Sequence, residues 1–165
     1  MAKFDLAILG GGPGGYVAAI RSAQLGLKTC IIDADKLGGI CLNWGCIPTK
    51  ALLKNADVYH YIKNADTYGI NVEKVSVDFK KNIKRSRDVS NRLSKGIEFL
   101  IKKNKITHIQ GTGKLTSKTS LEVKNKQKTD IIEADKIILA TGARPKSFPG
   151  MEFDGDRVIS FKEAM

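Results

Sequence analysis

Apolar residues fall along this chain in two rhythms. Phe4-Asp5-Leu6-Ala7-Ile8-Leu9 is a nearly continuous apolar run, which predicts a short buried strand. After a glycine cluster, residues 16–25 take the spacing of a helix, with Gly26 placed to cap its C-terminus. Residues 28–33 read as a second strand that ends on an acid. Further on, residues 47–63 look helical, with Pro48 tolerated in the first turn and Leu53, Ala56, Tyr59 and Ile62 at helical spacing. A second long helix is predicted over residues 78–103, its buried stripe marked by Phe79, Ile83, Leu93, Ile97 and Leu100 or Ile101. From Ile106 the pattern shortens to strands at 107–110, 120–123 and 130–134, and then a continuous apolar strand at 136–140. No internal repeat or low-complexity linker interrupts the 165 residues, enough for one domain with a real core.

Charge adds little to this outline. The net charge of +11 comes from lysines and arginines concentrated between Lys80 and Lys128. A basic stretch is one mark of nucleic-acid binding, but no nucleic-acid motif accompanies it, and a solvated lysine-rich face is the expectation. An acidic partner protein would also be attracted. No apolar run approaches the ~20 residues of a membrane helix. The first residues, Met1-Ala2-Lys3-Phe4-Asp5, lack the apolar stretch of a signal peptide. No membrane association is expected, and a cytoplasmic location is. Three cysteines do not make a secreted disulfide scaffold. Cys30, in an apolar run, is expected to be a buried core thiol.

The glycine cluster carries chemistry. Gly10, Gly12 and Gly15 hold the three glycine positions of G-x-G-x-x-G. The first allows a tight turn, the second lets a pyrophosphate approach the backbone, and the third lets helix pack on strand. The motif follows a strand and opens a helix, and Asp33 at the end of the next strand can accept hydrogen bonds from a ribose. This context predicts a bound dinucleotide, its phosphates at the N-terminus of the helix.

Cys41-Leu42-Asn43-Trp44-Gly45-Cys46 is the second candidate site. Cys46 is expected at the start of a helix, where the dipole and free N–H groups stabilise a thiolate. Cys41 lies close enough in the same loop for a bridge to form and open. Gly38, Gly39 and Gly45 would keep the backbone compact so that a flat cofactor can approach. Two unrelated thiols remain an alternative. A zinc site would need two further ligands, and His60 and His108 are not spaced as a pair, so no metal is expected. Lys50 lies one helical turn after Cys46, on the same face, where its ammonium could meet electron-rich cofactor atoms.

Residues 37–53, Leu-Gly-Gly-Ile-Cys-Leu-Asn-Trp-Gly-Cys-Ile-Pro-Thr-Lys-Ala-Leu-Leu, resemble the active-site segment of the FAD-dependent pyridine nucleotide–disulfide oxidoreductases. Within that group the Leu-Asn between the cysteines and the Ile-Pro-Thr-Lys continuation are most similar to the dihydrolipoamide dehydrogenases. Glutathione and mercuric reductases are the alternatives. Residues 12–20 resemble the same branch, and Ala140-Thr141-Gly142-Ala143-Arg144-Pro145 resembles the family's second FAD-contacting segment. The resemblance implies that Cys41 and Cys46 form a redox-active disulfide, with Cys41 meeting dihydrolipoamide and Cys46 beside the flavin. It implies FAD contacts from Gly10, Gly12, Pro13, Gly14, Gly15, Asp33, Ala34, Gly38, Gly39, Lys50, Gly113, Thr141, Gly142 and Ala143. The family usually has Glu at the Asp33 position. It further implies NAD+ as electron acceptor, the lipoyl domains of 2-oxo acid dehydrogenase complexes as partners, and a homodimer for the full-length enzyme.

In this family an NAD-binding domain and a dimerisation domain follow, and neither a second G-x-G-x-x-G nor the family's histidine motif occurs here. The chain is therefore expected to be the N-terminal part of such an enzyme, without NAD-linked turnover of its own, or a non-catalytic FAD-binding module. Residues 1–150 would form the FAD-binding domain and 151–165 the start of a connection to the NAD-binding domain. The expected fold is an incomplete α/β, Rossmann-type domain: a parallel sheet, helices on one side, and a small β-meander over residues 106–133 on the other. One strand would be contributed by later sequence, leaving an open sheet edge.

Overall fold

A computed structural model describes residues 2–165. Strand β1 (Ala2–Leu9) leads through the glycine turn into helix α1 (Pro13–Gln24), and β2 (Thr29–Asp33) returns beside β1 in parallel. Pro13 stands in the first turn of α1, where its missing N–H has no intrahelical partner to lose. At the other end, Gly26 takes a φ of +88°. Gly26 N donates to the Ala23 carbonyl and Leu27 N to the Ser22 carbonyl, which closes the helix as a Schellman turn.

After β2 come two helices at right succession around Gly45: the short α2 (Gly39–Trp44) and α3 (Cys46–Lys63). A single 3-10 turn (Ala65–Tyr68) and an extended stretch lead to α4 (Phe79–Lys103), whose first turn is capped by the Asp78 carboxylate accepting from Lys81 N. Strands β3 (Thr107–Gln110), β4 (Thr112–Leu115), β5 (Ser120–Lys124) and β6 (Thr129–Leu139) complete a six-stranded sheet in the order β3-β2-β1-β6-β5-β4. Pairs β3–β2, β2–β1 and β1–β6 are parallel, while β6–β5 and β5–β4 are antiparallel.

Alternation along the parallel strands splits the core in two. Leu6, Ile8 and Ile31 face the helices, where Ala19 of α1 and Ile101 of α4 cover them. Ala7, Leu9, Cys30 and Ile32 face the other way, under Leu121, Val123, Ile132 and Ala134 of the antiparallel strands. Helices, parallel sheet and meander thus form the α/β architecture that the pattern predicts.

Several elements differ from the sequence reading. The strand at 107–110 is not the start of the meander. Buried Ile106 packs on the helix side and delivers the chain to the edge of β2, with Thr107 opposite Cys30 and Gln110 opposite Asp33. The meander begins at β4, a strand the pattern does not show. It crosses over the sheet at Gly113, where a Cβ would run into Leu9. The segments at 130–134 and 136–140 are one strand: residues 129–133 pair with β5 and residues 132–139 with β1, so the two pairings overlap.

Only the C-terminal end of the stripe expected on α4 is in the core, where Ile101 is buried and Ile97 packs beside it. Phe79 and Leu93 are 68% and 42% exposed, and Ser86, Ser90, Ser94 and Ile101 are the buried residues. Serines at i, i+4 and i+8 let α4 lie close against α2 and α3, where a leucine would not fit. The Ser86 hydroxyl is satisfied by the Ile83 carbonyl of its own helix. On the far side of β6 from β1, residues 135–139 have no strand partner among the described residues, and Leu139 is 60% exposed.

Candidate active site

Strands β1, β2 and β6 all end at one side of the sheet, the place where α/β folds bind ligands. A cleft of about 800 Å³ opens there. Its floor is the glycine turn and its walls are the Cys41–Cys46 disulfide and the segment 140–145 that leaves β6. Gly10, Gly12, Pro13, Gly14, Asp33, Cys41, Cys46, Thr141, Gly142 and Ala143, all predicted from sequence, line this one cleft.

The glycines of the turn divide by what surrounds them. A Cβ at Gly10 would strike the Ala140 carbonyl, and one at Gly15 would strike the Gly10 carbonyl. These two let strands and helix approach each other. A Cβ at Gly12 or Gly14 would meet nothing in the chain closer than 3.9 Å and would stand in the cleft instead. Bare backbone at those two positions, with the first N–H groups of α1 behind it, fits a pyrophosphate. The flat cofactor expected here therefore suits the residues that the cleft presents.

Asp33 is already engaged. Its Oδ2 accepts from Gly11 N at 2.5 Å and its Oδ1 from Asp35 N at 2.8 Å, so the carboxylate ties the glycine turn to the end of β2. A carboxylate has acceptor capacity beyond these two bonds, and Asp33 still lines the cleft. Gly38 and Gly39 lie behind it. Gly38 packs on Leu42, and a Cβ at Gly39 would come within 2.7 Å of the Gly12 Cα. Besides Gly15, Gly38 and Gly39, three further predicted residues lie outside the lining. Ala34 belongs to a separate polar depression with Gln110, Thr112 and Lys124, Gly113 sits on Leu9, and Lys50 is exposed on α3.

Cys41 is on the short helix α2 rather than in an open loop, and Cys46 is the first residue of α3. The two form a disulfide with their α-carbons 4.6 Å apart. Gly45 joins the helices in little space, since a Cβ there would lie 3.1 Å from the Ile40 carbonyl. Cys46 has the free N–H groups of the α3 N-terminus beside it, with no acidic residue in that first turn, which favours a thiolate on reduction. Cys30 is the opposite case: it is fully buried in the core, and burial pushes its thiol up to about 12.

The sequence reading missed the segment 160–162. Ser160, Phe161 and Lys162 reach back to the cleft, and the Lys162 ammonium lies 4.4 Å over the Trp44 ring and 3.6 Å from Asp35 Oδ2. No periodicity or motif in the sequence signals that return. Among the described residues no group of histidines, cysteines and carboxylates could hold a metal, and no helix is long and apolar enough to cross a membrane.

A glycine turn and a cystine opening into one cleft of a Rossmann-type sheet define a class of dinucleotide-dependent disulfide oxidoreductases. The chain belongs to that class: residues 4–164 match the pyridine nucleotide-disulphide oxidoreductase family. It is 49% identical over 163 residues to a dihydrolipoyl dehydrogenase of Zymomonas mobilis, covering 98% of this chain and 35% of that protein. A dihydrolipoyl dehydrogenase of Bacillus subtilis is 43% identical, with 99% of this chain and 36% of that protein covered. Among solved structures, the Cu(II) complex of the HOCl-induced flavoprotein disulfide reductase RclA from Escherichia coli superposes with a TM-score of 0.74. That alignment has 28% identity and covers 90% of this chain and 31% of the other. The chain thus spans about a third of the length of the relatives it matches.

Proposed function

We propose that this chain is the FAD- and disulfide-bearing part of a dihydrolipoamide dehydrogenase. The observation that carries the reading is that the Cys41–Cys46 disulfide and the open backbone of Gly12 and Gly14 face the same cleft. Similarity to dihydrolipoyl dehydrogenases over nearly the whole chain favours dihydrolipoamide over glutathione or mercury(II) as the substrate class.

In this reading a dihydrolipoamide thiolate attacks the disulfide at Cys41, and a mixed disulfide forms as Cys46 leaves as a thiolate. The second substrate thiol then closes lipoamide and releases Cys41. Two electrons and two protons have passed from substrate to the cysteine pair, and nothing else is consumed. The α3 N-terminus stabilises Cys46 as the leaving group. Gly12, Gly14 and the first N–H groups of α1 would hold the FAD pyrophosphate, and residues 141–143 would add backbone contacts. Bound FAD would supply a two-electron acceptor able to pass hydride on to NAD+. NAD+ itself, the lipoyl domains of a 2-oxo acid dehydrogenase complex, the homodimer and a cytoplasmic location belong to the full-length enzyme in this proposal. Residues 151–165 would begin the connection to its NAD-binding domain.

The test is stoichiometric. Incubated with dihydrolipoamide under nitrogen and then alkylated, the native protein should carry label on Cys41 and Cys46 and none on Cys30. Reduction by dithiothreitol but not by dihydrolipoamide would refute the substrate.

A further inference from the structure

The cysteine pair is held by more than its own bond. Asn43, between the two cysteines, is 6% exposed and is wired on every side. Its Nδ2 donates to the carbonyls of Leu37 at 3.1 Å and Gly39 at 2.9 Å, and its Oδ1 accepts from Ser94 Oγ at 3.1 Å. Its own carbonyl accepts from Arg87 Nη1 at 2.9 Å. That carbonyl is in the last turn of α2, where a helix leaves acceptors without internal partners and a cation is favoured. Two residues back on the same helix, Arg85 Nη1 donates to the Ala51 carbonyl of α3 at 3.0 Å. Helix α4 therefore grips both cysteine-bearing helices, each through an arginine on a backbone carbonyl.

The bond to Asn43 leaves much of the Arg87 guanidinium unsatisfied. Its Nε and Nη2, and Oγ of Ser90 one turn on, are buried with no partner among the described residues. Idle buried donors on a charged group cost stability, and an apolar side chain would avoid that cost. A group kept at such a cost points to a use elsewhere.

We propose that Arg87 is a positioning residue of the Cys41–Cys46 couple: by tying the end of α2 to α4, it keeps the two thiols within bonding reach once the disulfide has opened. This rests on the reading of the pair as redox-active. A disulfide re-forms according to the effective concentration of one thiol at the other. Helix α2 has six residues, too few to hold its own shape once the covalent tie is gone. Without Arg87 the helix carrying Cys41 moves away from Cys46, and the disulfide becomes easier to reduce. The exchange needs only a dithiol, which gives two electrons and two protons to the cystine and becomes a cyclic disulfide.

The experiment equilibrates the 165-residue protein with mixtures of reduced and oxidised dithiothreitol, quenches with acid, alkylates, and counts the labelled cysteines by mass. Arg87→Gln is expected to shift the equilibrium about tenfold toward the dithiol, a potential about 30 mV less negative. Ser94→Ala should shift it two- to threefold in the same direction. Both act through Asn43, so the double variant should fall short of the product of the two effects. Arg92→Gln, an exposed arginine on the same helix, should leave the equilibrium unchanged. Far-UV circular dichroism establishes which variants are folded, and Ser94→Ala carries the test if Arg87→Gln does not fold. Folded variants within twofold of the parent protein would overturn the proposal. So would a disulfide harder to reduce in Arg87→Gln, because the guanidinium would then act on thiolate charge and not on position. A parent protein whose cystine does not cycle with dithiols at all would instead overturn the redox reading beneath it.

Discussion

Cys30 and Cys46 are the same residue type put to opposite uses by their surroundings. Cys46 stands at a helix N-terminus on a cleft, while Cys30 lies under Leu121 and Val123 with its thiol pushed up to about 12 from 9.0 by burial. In the unfolded chain Cys30 ionises near its ordinary value; in the folded chain it does not until far higher pH. Its contribution to stability is therefore complete below about pH 9 and is lost as the pH rises toward about 12. Urea midpoints measured from pH 8 to pH 11 should fall more steeply for the parent protein than for Cys30→Ala. Parallel slopes would mean that the thiol is not protected by the core. The sequence predicts a buried thiol from the apolar run around Cys30, because a strand between two covered faces leaves no exposed position.

Helix α4 shows where reading by pattern stops. Its termini are legible, since Asp78 offers a capping carboxylate and the lysines of its last turn suit the C-terminal end of the dipole. Its buried face is legible only toward the C-terminus, at Ile97 and Ile101. Apolar periodicity selects large residues, but the tight approach to α2 and α3 selects small ones, and nothing in the local sequence states how near those helices lie. Ser86→Leu should therefore destabilise the protein by about 1–3 kcal/mol through overpacking. Leu93→Ser, on a residue 42% exposed, should change stability by no more than about 0.5 kcal/mol. Thermal or urea unfolding distinguishes the two, and equal effects would return the helix to the face that its apolar residues suggest.

At the scale of the whole molecule, folding brings residues from five separate stretches to one cleft, and a ligand that binds only the folded form must stabilise it. FAD at a hundred times its dissociation constant should add about 2.7 kcal/mol, a rise of several degrees in the melting temperature. Gly12→Val should melt close to the parent protein without FAD, because a Cβ there meets nothing in the chain closer than 3.9 Å, and should lose the shift with FAD. A Gly12→Val protein that kept the full shift would place the cofactor elsewhere. By itself the sequence determined the β–α–β opening, the glycine turn, the cysteine pair at a helix start and the family, because each is local: a few adjacent residues carry the whole physical cause. It also carried the apolar strand that ends at the cleft. Only the tertiary structure decided that residues 107–110 complete the parallel sheet, that Gly113 serves the crossing of β4 over Leu9, and that serines face inward on α4. It alone brought Lys162 over Trp44 and Arg87 to the carbonyl of Asn43. Those contacts join residues far apart in the chain, and the energy that selects them is the packing of whole elements, which no window of sequence contains.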